Sequence, residues 1–214
     1  MKAIKIIFNS LCFVFAMLIF FACGSDKNEK YNKVKVPDDK SNYKVNVPTE
    51  NTGPAPELTK HEYTKYQSNC GFKFDLSKLY KVNDIEIEKS GSMCYKKIDL
   101  GKLNGEINFL YLKMQEPLST YVNYSNDQVD GHKIKANAIN DLRIINKKNR
   151  VFGTFFELKG DVATPFQFYL TDSTKYFVRG EVLFNCRPNY DSLLPSINYL
   201  KTDLLHLIET FEWN

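Results

Sequence analysis

An uninterrupted apolar run from Leu11 to Ala22 ends directly on Cys23-Gly24-Ser25, and this junction decides which residues are left to fold. Lys2 and Lys5 precede the run, giving the positive n-region and apolar h-region of a secretory signal. The run is too short to rest comfortably as a permanent bilayer-spanning helix, which takes roughly 20 residues. A cysteine placed directly after the small Ala22 fits lipoprotein processing. The thiol becomes a thioether to diacylglycerol, and cleavage then leaves Cys23 as the first residue. Phe20, three residues before the cysteine, is bulkier than the usual Leu or Val. The competing reading is an uncleaved anchor helix with an incidental cysteine. On the lipoprotein reading, residues 1–22 are a signal peptide and Cys23 is the lipidation site. Each buried methylene of its acyl chains then adds roughly 0.8 kcal/mol of anchoring.

The residues after the junction cannot pack either. Residues 24–56 are rich in Lys, Asn, Asp and Pro and poor in large apolar side chains, so they bury too little surface to offset their own ordering. They hold an imperfect repeat, Tyr31–Pro37 (YNKVKVP) and Tyr43–Pro48 (YKVNVP), too short for a solenoid unit. The stretch 23–59 therefore reads as a lipidated N-terminus and flexible tether, with an extended reach on the order of 100 Å. A single domain is expected over 60–214.

Export also changes what the cysteines mean. Cys12 leaves with the signal and Cys23 carries lipid, so Cys70, Cys94 and Cys186 face an oxidising compartment. Cys70 and Cys94 both flank predicted strands early in the domain and form the favoured pair, closing a loop worth about 3 kcal/mol in the chain-entropy model. Cys186, at the end of a predicted strand, reads as a small buried hydrophobe. The formal charge of +4 falls to about +2 once Lys2 and Lys5 are removed, and no basic run follows, which argues against a nucleic-acid partner. Sixteen Phe and 13 Tyr suit a strand-rich core with large side chains.

Within 60–214 the apolar pattern switches between two periods. Alternation marks strands at Cys70–Leu76, Asp84–Glu88 and Ser92–Leu100. The turn dipeptide Asn104-Gly105 leads into Glu106–Met114, apolar on both faces and so expected to be central. From Pro117, residues Leu118, Val122, Ser125, Val129, His132, Ala136 and Ile139 step by four and three, predicting a helix that Gly131 weakens. Strands resume at Asp141–Lys147, Val151–Lys159, Pro165–Thr171 and Tyr176–Cys186, with Gly180 a bulge or close-contact point. A closing helix over Asp191–Phe211 carries the stripe Leu193, Ile197, Leu200, Leu204, Leu207 and Phe211. Asp191 or Ser192 would cap it, with Pro195 in its first turn. The order predicts an α+β fold: a mostly antiparallel sheet packed by two long amphipathic helices.

No catalytic constellation is specific. His61 sits at the tether's edge, and His206 points off the closing stripe and is expected to be solvated. His132, on the apolar face of its helix beside Asp130, is the candidate binding position; a hydrogen-bonded core or interface histidine is the plainer reading. No Cys/His cluster has metal spacing, and neither a Gly-x-Ser-x-Gly elbow nor a phosphate-binding glycine loop is present, so no cofactor is implied. Thr171–Thr174 (TDST) and Asn189–Ser192 (NYDS) read as turn and cap chemistry. Their Asp-Ser pairs also resemble an O-glycosylation acceptor pattern, a weaker reading.

The segments Val151–Gly160 (VFGTFFELKG), Gln167–Gly180 (QFYLTDSTKYFVRG), Pro188–Pro195 (PNYDSLLP) and Ile208–Trp213 (IETFEW) go beyond composition. With His132–Ala136 (HKIKA), the Cys70/Cys94 pair and the junction at Cys23, the chain resembles the gliding motility lipoprotein GldD family over most of its length after residue 70. The resemblance implies a non-enzymatic component needed for surface gliding and associated with the type IX secretion machinery, with protein partners in that apparatus. The strand-rich pattern ending in a helix and aromatic tail is also similar to a PsbP/Mog1-like sandwich, an analogy of fold that carries no function. Gly24 and Ser25 give no inner-membrane retention signal, so the expected location is the outer membrane, facing the periplasm.

Overall fold

Phenylalanines from four separate stretches of sequence, Phe72 with Phe74, Phe109, Phe168 and Phe211, meet ring against ring in one core, with Phe72 and Phe109 centroids 5.1 Å apart and Phe109 and Phe168 6.1 Å apart. The structure, a computed structural model, describes residues 60–85 and 93–214. The expected signal peptide, the lipidation site expected at Cys23 and the expected tether lie outside the described residues, as do residues 86–92, which hold the end of the strand predicted over Asp84–Glu88.

The elements run β1 (Tyr63–Gln67), β2 (Phe72–Ser77), β3 (Lys81–Ile85), β4 (Met93–Asp99), β5 (Gly105–Lys113), α1 (Leu118–Asp130), β6 (Ala136–Asn146), β7 (Val151–Gly160), β8 (Phe166–Thr171), β9 (Tyr176–Phe184), α2 (Tyr190–Glu209) and β10 (Glu212–Trp213). Seven of the described strands form one sheet in the order β3-β4-β5-β9-β8-β7-β6, and β1-β2-β10 form a second. Every pairing is antiparallel. The α+β expectation, an antiparallel sheet with two helices, is what the chain adopts.

Strand period decides the layers. Even-numbered residues of β8 and β9 (Phe166, Phe168, Leu170, Val178, Val182) and odd ones of β5 (Ile107, Phe109, Tyr111) join α2 and the small sheet in the main core. The opposite face takes α1, where Tyr121 packs on Phe177 at 5.4 Å between centroids. As expected, β5 lies well inside the large sheet, two strands from its β3 edge. Gly180 is a close-contact point and not a bulge, because it pairs in regular register with both Phe109 and Phe168. A Cβ there would fall 2.1 Å from the Phe168 ring, so glycine lets that ring lie across the sheet.

The first helix is shorter than its period suggested. Turns at 131–135 end it, with Ala136 N–H donating to His132 O at 2.9 Å, and Ala136 and Ile139 belong to β6. Their spacing fits a helix, but pairing with β7 gives each backbone group a ladder partner and overrides the local period. The α2 cap is Asn189, whose side chain accepts from Ser192 N–H at 3.3 Å, in place of Asp191 or Ser192. Starting the helix there puts Pro195 in the second turn, where its missing N–H leaves the Asp191 carbonyl without the usual helical donor. β9 stops at Phe184, and Cys186 is exposed instead of buried.

Candidate functional site

His132 follows the last turn of α1, in a turn closed by backbone bonds from Lys135 and Ala136 N–H to His132 O at 3.0 and 2.9 Å. Its Nε2 lies 3.0 Å from Thr164 Oγ1, in the β7–β8 connection. Gln167 Nε2 donates to the same oxygen at 3.0 Å, and Arg179 Nη2 donates to Gln167 Oε1 at 2.8 Å. Arg179 Nη1 then meets Glu181 Oε2 at 2.9 Å, Asn108 Nδ2 reaches Glu181 Oε1 at 3.5 Å, and the Tyr95 hydroxyl donates to Asn108.

Register explains the row. Lys97, Asn108, Glu181 and Gln167 are directly opposite one another across β4, β5, β9 and β8, on the face that receives α1. Gln167, Arg179 and Glu181 are nonetheless 2–5 % exposed, so their polar groups rely on one another and not on solvent. Burial pushes the His132 imidazole below its ordinary value; Glu181 opposes this, while Arg179 and Lys135 add to the lowering. The ring is therefore neutral near pH 7, as a buried member of a satisfied network should be. Asp130, the other residue of the predicted pair, stays outside it: Oδ1 meets Lys133 Nζ at 2.7 Å on the surface.

A second buried cluster is centred on Asp203, a residue to which the sequence attaches no expectation. Asp203 lies in the apolar stripe of α2, three residues after Leu200 and four before Leu207, yet is only 3 % exposed. Its Oδ1 accepts from His61 Nδ1 at 2.7 Å and from the Tyr63 hydroxyl at 3.0 Å, and its Oδ2 from the Tyr80 hydroxyl at 2.5 Å. Burial, then the Asp203 carboxylate, push both phenols far above their ordinary range, which keeps them protonated as donors. His61 also stacks on Tyr199, whose hydroxyl donates to Lys60 O at 2.9 Å. His206, expected to be solvated, stacks on Tyr63 at 3.8 Å and meets Asp75 Oδ2 at 3.2 Å. A carboxylate in an apolar stripe is a readable mark of buried donors; which donors come to it depends on β1 and β2 folding against α2.

The remaining expected positions behave locally. Cys70 and Cys94 form a disulfide with Cα atoms 6.2 Å apart. Asp172 accepts from the N–H groups of Thr174, Lys175 and Tyr176 at 2.7–3.0 Å, turn chemistry that holds its carboxyl below the usual range despite burial. A shallow cleft beside Cys186, lined by Gly160, Val162, Pro188 and Tyr190, has room for roughly one water. Among the described residues no three His, Cys, Asp or Glu side chains gather as a metal ion needs, and no helix is long and apolar enough to cross a membrane.

Both clusters are closed on themselves: each buried polar side-chain atom among the described residues has a partner. Such an arrangement rigidifies a domain. No curated protein matches the chain significantly. A family model described as gliding motility lipoprotein GldD matches residues 28–213, and the chain therefore belongs to this family of lipid-anchored envelope proteins of the gliding motility system.

Proposed function

We propose that the protein is a non-enzymatic accessory lipoprotein of the gliding and type IX secretion apparatus, binding or stabilising its protein components. On this reading residues 1–22 are a signal peptide, and lipid on Cys23 holds the chain to the periplasmic face of the outer membrane. Residues 23–59 then tether the single domain 60–214 away from the lipid surface. The observation that carries the proposal is the family match over residues 28–213. The closed polar row from His132 to Glu181 supports a packed scaffold over a ligand site, because its groups are committed to one another.

The test is mild crosslinking and affinity capture of the tagged lipoprotein from its native envelope, with mass spectrometry of what accompanies it. Recovery of gliding or type IX secretion components is expected. Recovery of bulk envelope proteins with a co-purifying small molecule would replace the accessory role with a periplasmic ligand-binding or assembly-chaperone role. A gliding cell that loses the gene yet keeps motility and secretion would refute the proposal outright.

A further inference from the structure

β6 is the last strand of the large sheet, and among the described residues it is hydrogen-bonded to β7 alone. A long open edge is a template for another strand, and folded proteins usually blunt it with proline, lysine or an early stop. β6 runs from Ala136 to Asn146 with neither proline nor lysine. A register shift at Ala136/Ala138 disturbs only its beginning. The exposed large hydrophobics among the described residues are Leu79, Ile134, Leu142 and Ile145; two of these four are on β6 and Ile134 lies in the turn before it. Leu142 and Ile145 point to opposite faces, so together they wrap the edge and do not form a patch on one face.

The charges on this strand choose an occupant. Asp141 and Arg143 flank Leu142, both exposed and both on the face opposite to it. When two copies of β6 pair antiparallel with Leu142 opposite Leu142, each residue meets the one equally far on the other side of the centre. Asp141 of each copy then faces Arg143 of the other, Ile139 faces Ile145, and Asn140 faces Ile144. Moving the centre by one residue, to Asp141 or to Arg143, sets like charges directly opposite, an unfavourable cross-strand arrangement. The same shift separates the two Leu142 side chains.

We infer that the β6 edge is a self-association surface, on which a second copy of this chain adds its own β6 antiparallel with Leu142 at the two-fold centre. The two large sheets become continuous over Ala138–Asn146, and the two-fold makes the contact closed and self-complementary. The inference goes beyond the accessory role above and does not depend on which envelope proteins the domain meets.

Disulfide trapping of the full mature lipoprotein in its native membrane tests it. The background is Cys186→Ser, which removes the exposed thiol and leaves the Cys70–Cys94 bridge intact. Directly opposed residues of an antiparallel pair lie within disulfide range. Leu142→Cys is expected to give a reductant-sensitive dimer on mild oxidation. Asn140→Cys should not link to itself but should link to Ile144→Cys when the two are co-expressed. Arg143→Asp or Asp141→Arg alone should cut the Leu142→Cys dimer yield at least five-fold, and the two together should restore it. A Leu142→Cys chain that keeps its native bridge yet stays monomeric, or links to a different polypeptide, would overturn the proposal. So would single charge changes without effect. If the cysteine variant fails to accumulate, detergent-corrected light scattering of the unmodified chain decides: a dimer lost in either single charge change and regained in the double change supports it, and a monomer rejects it.

Discussion

His61 Nδ1 lies 2.7 Å from Asp203 Oδ1, so the first described residues of the domain are tied to the middle of its last helix across 142 positions of sequence. Tyr63 and Tyr80 close the same carboxylate from β1 and from the loop before β3. Asp203→Ala leaves the His61 imidazole and the Tyr63 and Tyr80 hydroxyls without this acceptor. The expected loss is about 3 kcal/mol in denaturant unfolding with the disulfide intact. Asp203→Asn, which keeps one acceptor oxygen, should lose less. A loss under about 1 kcal/mol for the alanine variant would mean that water replaces the carboxylate.

Gly180 and Phe168 make a second pair whose coupling can be measured. A methyl on Gly180 meets the ring at 2.1–2.8 Å, and the ring is 1 % exposed with Phe109 beside it. Gly180→Ala should destabilise by about 1–3 kcal/mol through overpacking. Phe168→Leu vacates part of that space, so the double variant should be more stable than the two single losses predict. Additive losses in the double-mutant cycle would show that the backbone shifts instead.

The Cys70–Cys94 bridge joins the turn before β2 to β4, linking the small sheet to the large one. Its sequence separation of 24 predicts a contribution of about 3 kcal/mol by restricting the unfolded chain. Thermal unfolding with and without reductant, in a Cys186→Ser background that prevents mispairing, should show the difference as a lower Tm. An unchanged Tm on full reduction would remove the bridge from the account of stability.

Acid should weaken the domain through His132. The unfolded imidazole titrates near 6.5, and burial lowers the folded value below that. Above the unfolded value both states are neutral and the full stability is present. As the pH falls below it, the unfolded chain binds the proton first, so stability declines until the folded value is passed. The stability difference between pH 7 and pH 5 should shrink in His132→Gln, whose amide can still meet Thr164. An identical pH slope in the two proteins would assign the acid sensitivity elsewhere.

Segments whose period repeats over several turns or strands were legible without any fold. The β7, β8 and β9 patterns and the stripe on α2 placed four elements within a few residues of their bounds, because burial on one face writes itself directly into spacing. Turn chemistry was equally local: Asp172 needs only the next four residues to satisfy its carboxylate. The Cys70–Cys94 pair was readable from the scarcity of alternatives and the expected compartment.

Three things belonged to the tertiary structure alone. The helix through Ala136 and Ile139 had the right period, but a ladder of backbone bonds to β7 outweighs a side-chain pattern that is not yet packed. His132 was visible as a polar group on an apolar face, whereas Thr164, Gln167, Arg179 and Glu181 become its neighbours only when β8 and β9 are in register. Asp203 stood in plain sight within its stripe, but the donors that stabilise it come from residues 61, 63 and 80. Spacing along a chain reports which face is buried. Which polar group meets which across that face is settled by distance in three dimensions, and a buried carboxylate or guanidinium is tolerable only where that distance is a hydrogen bond.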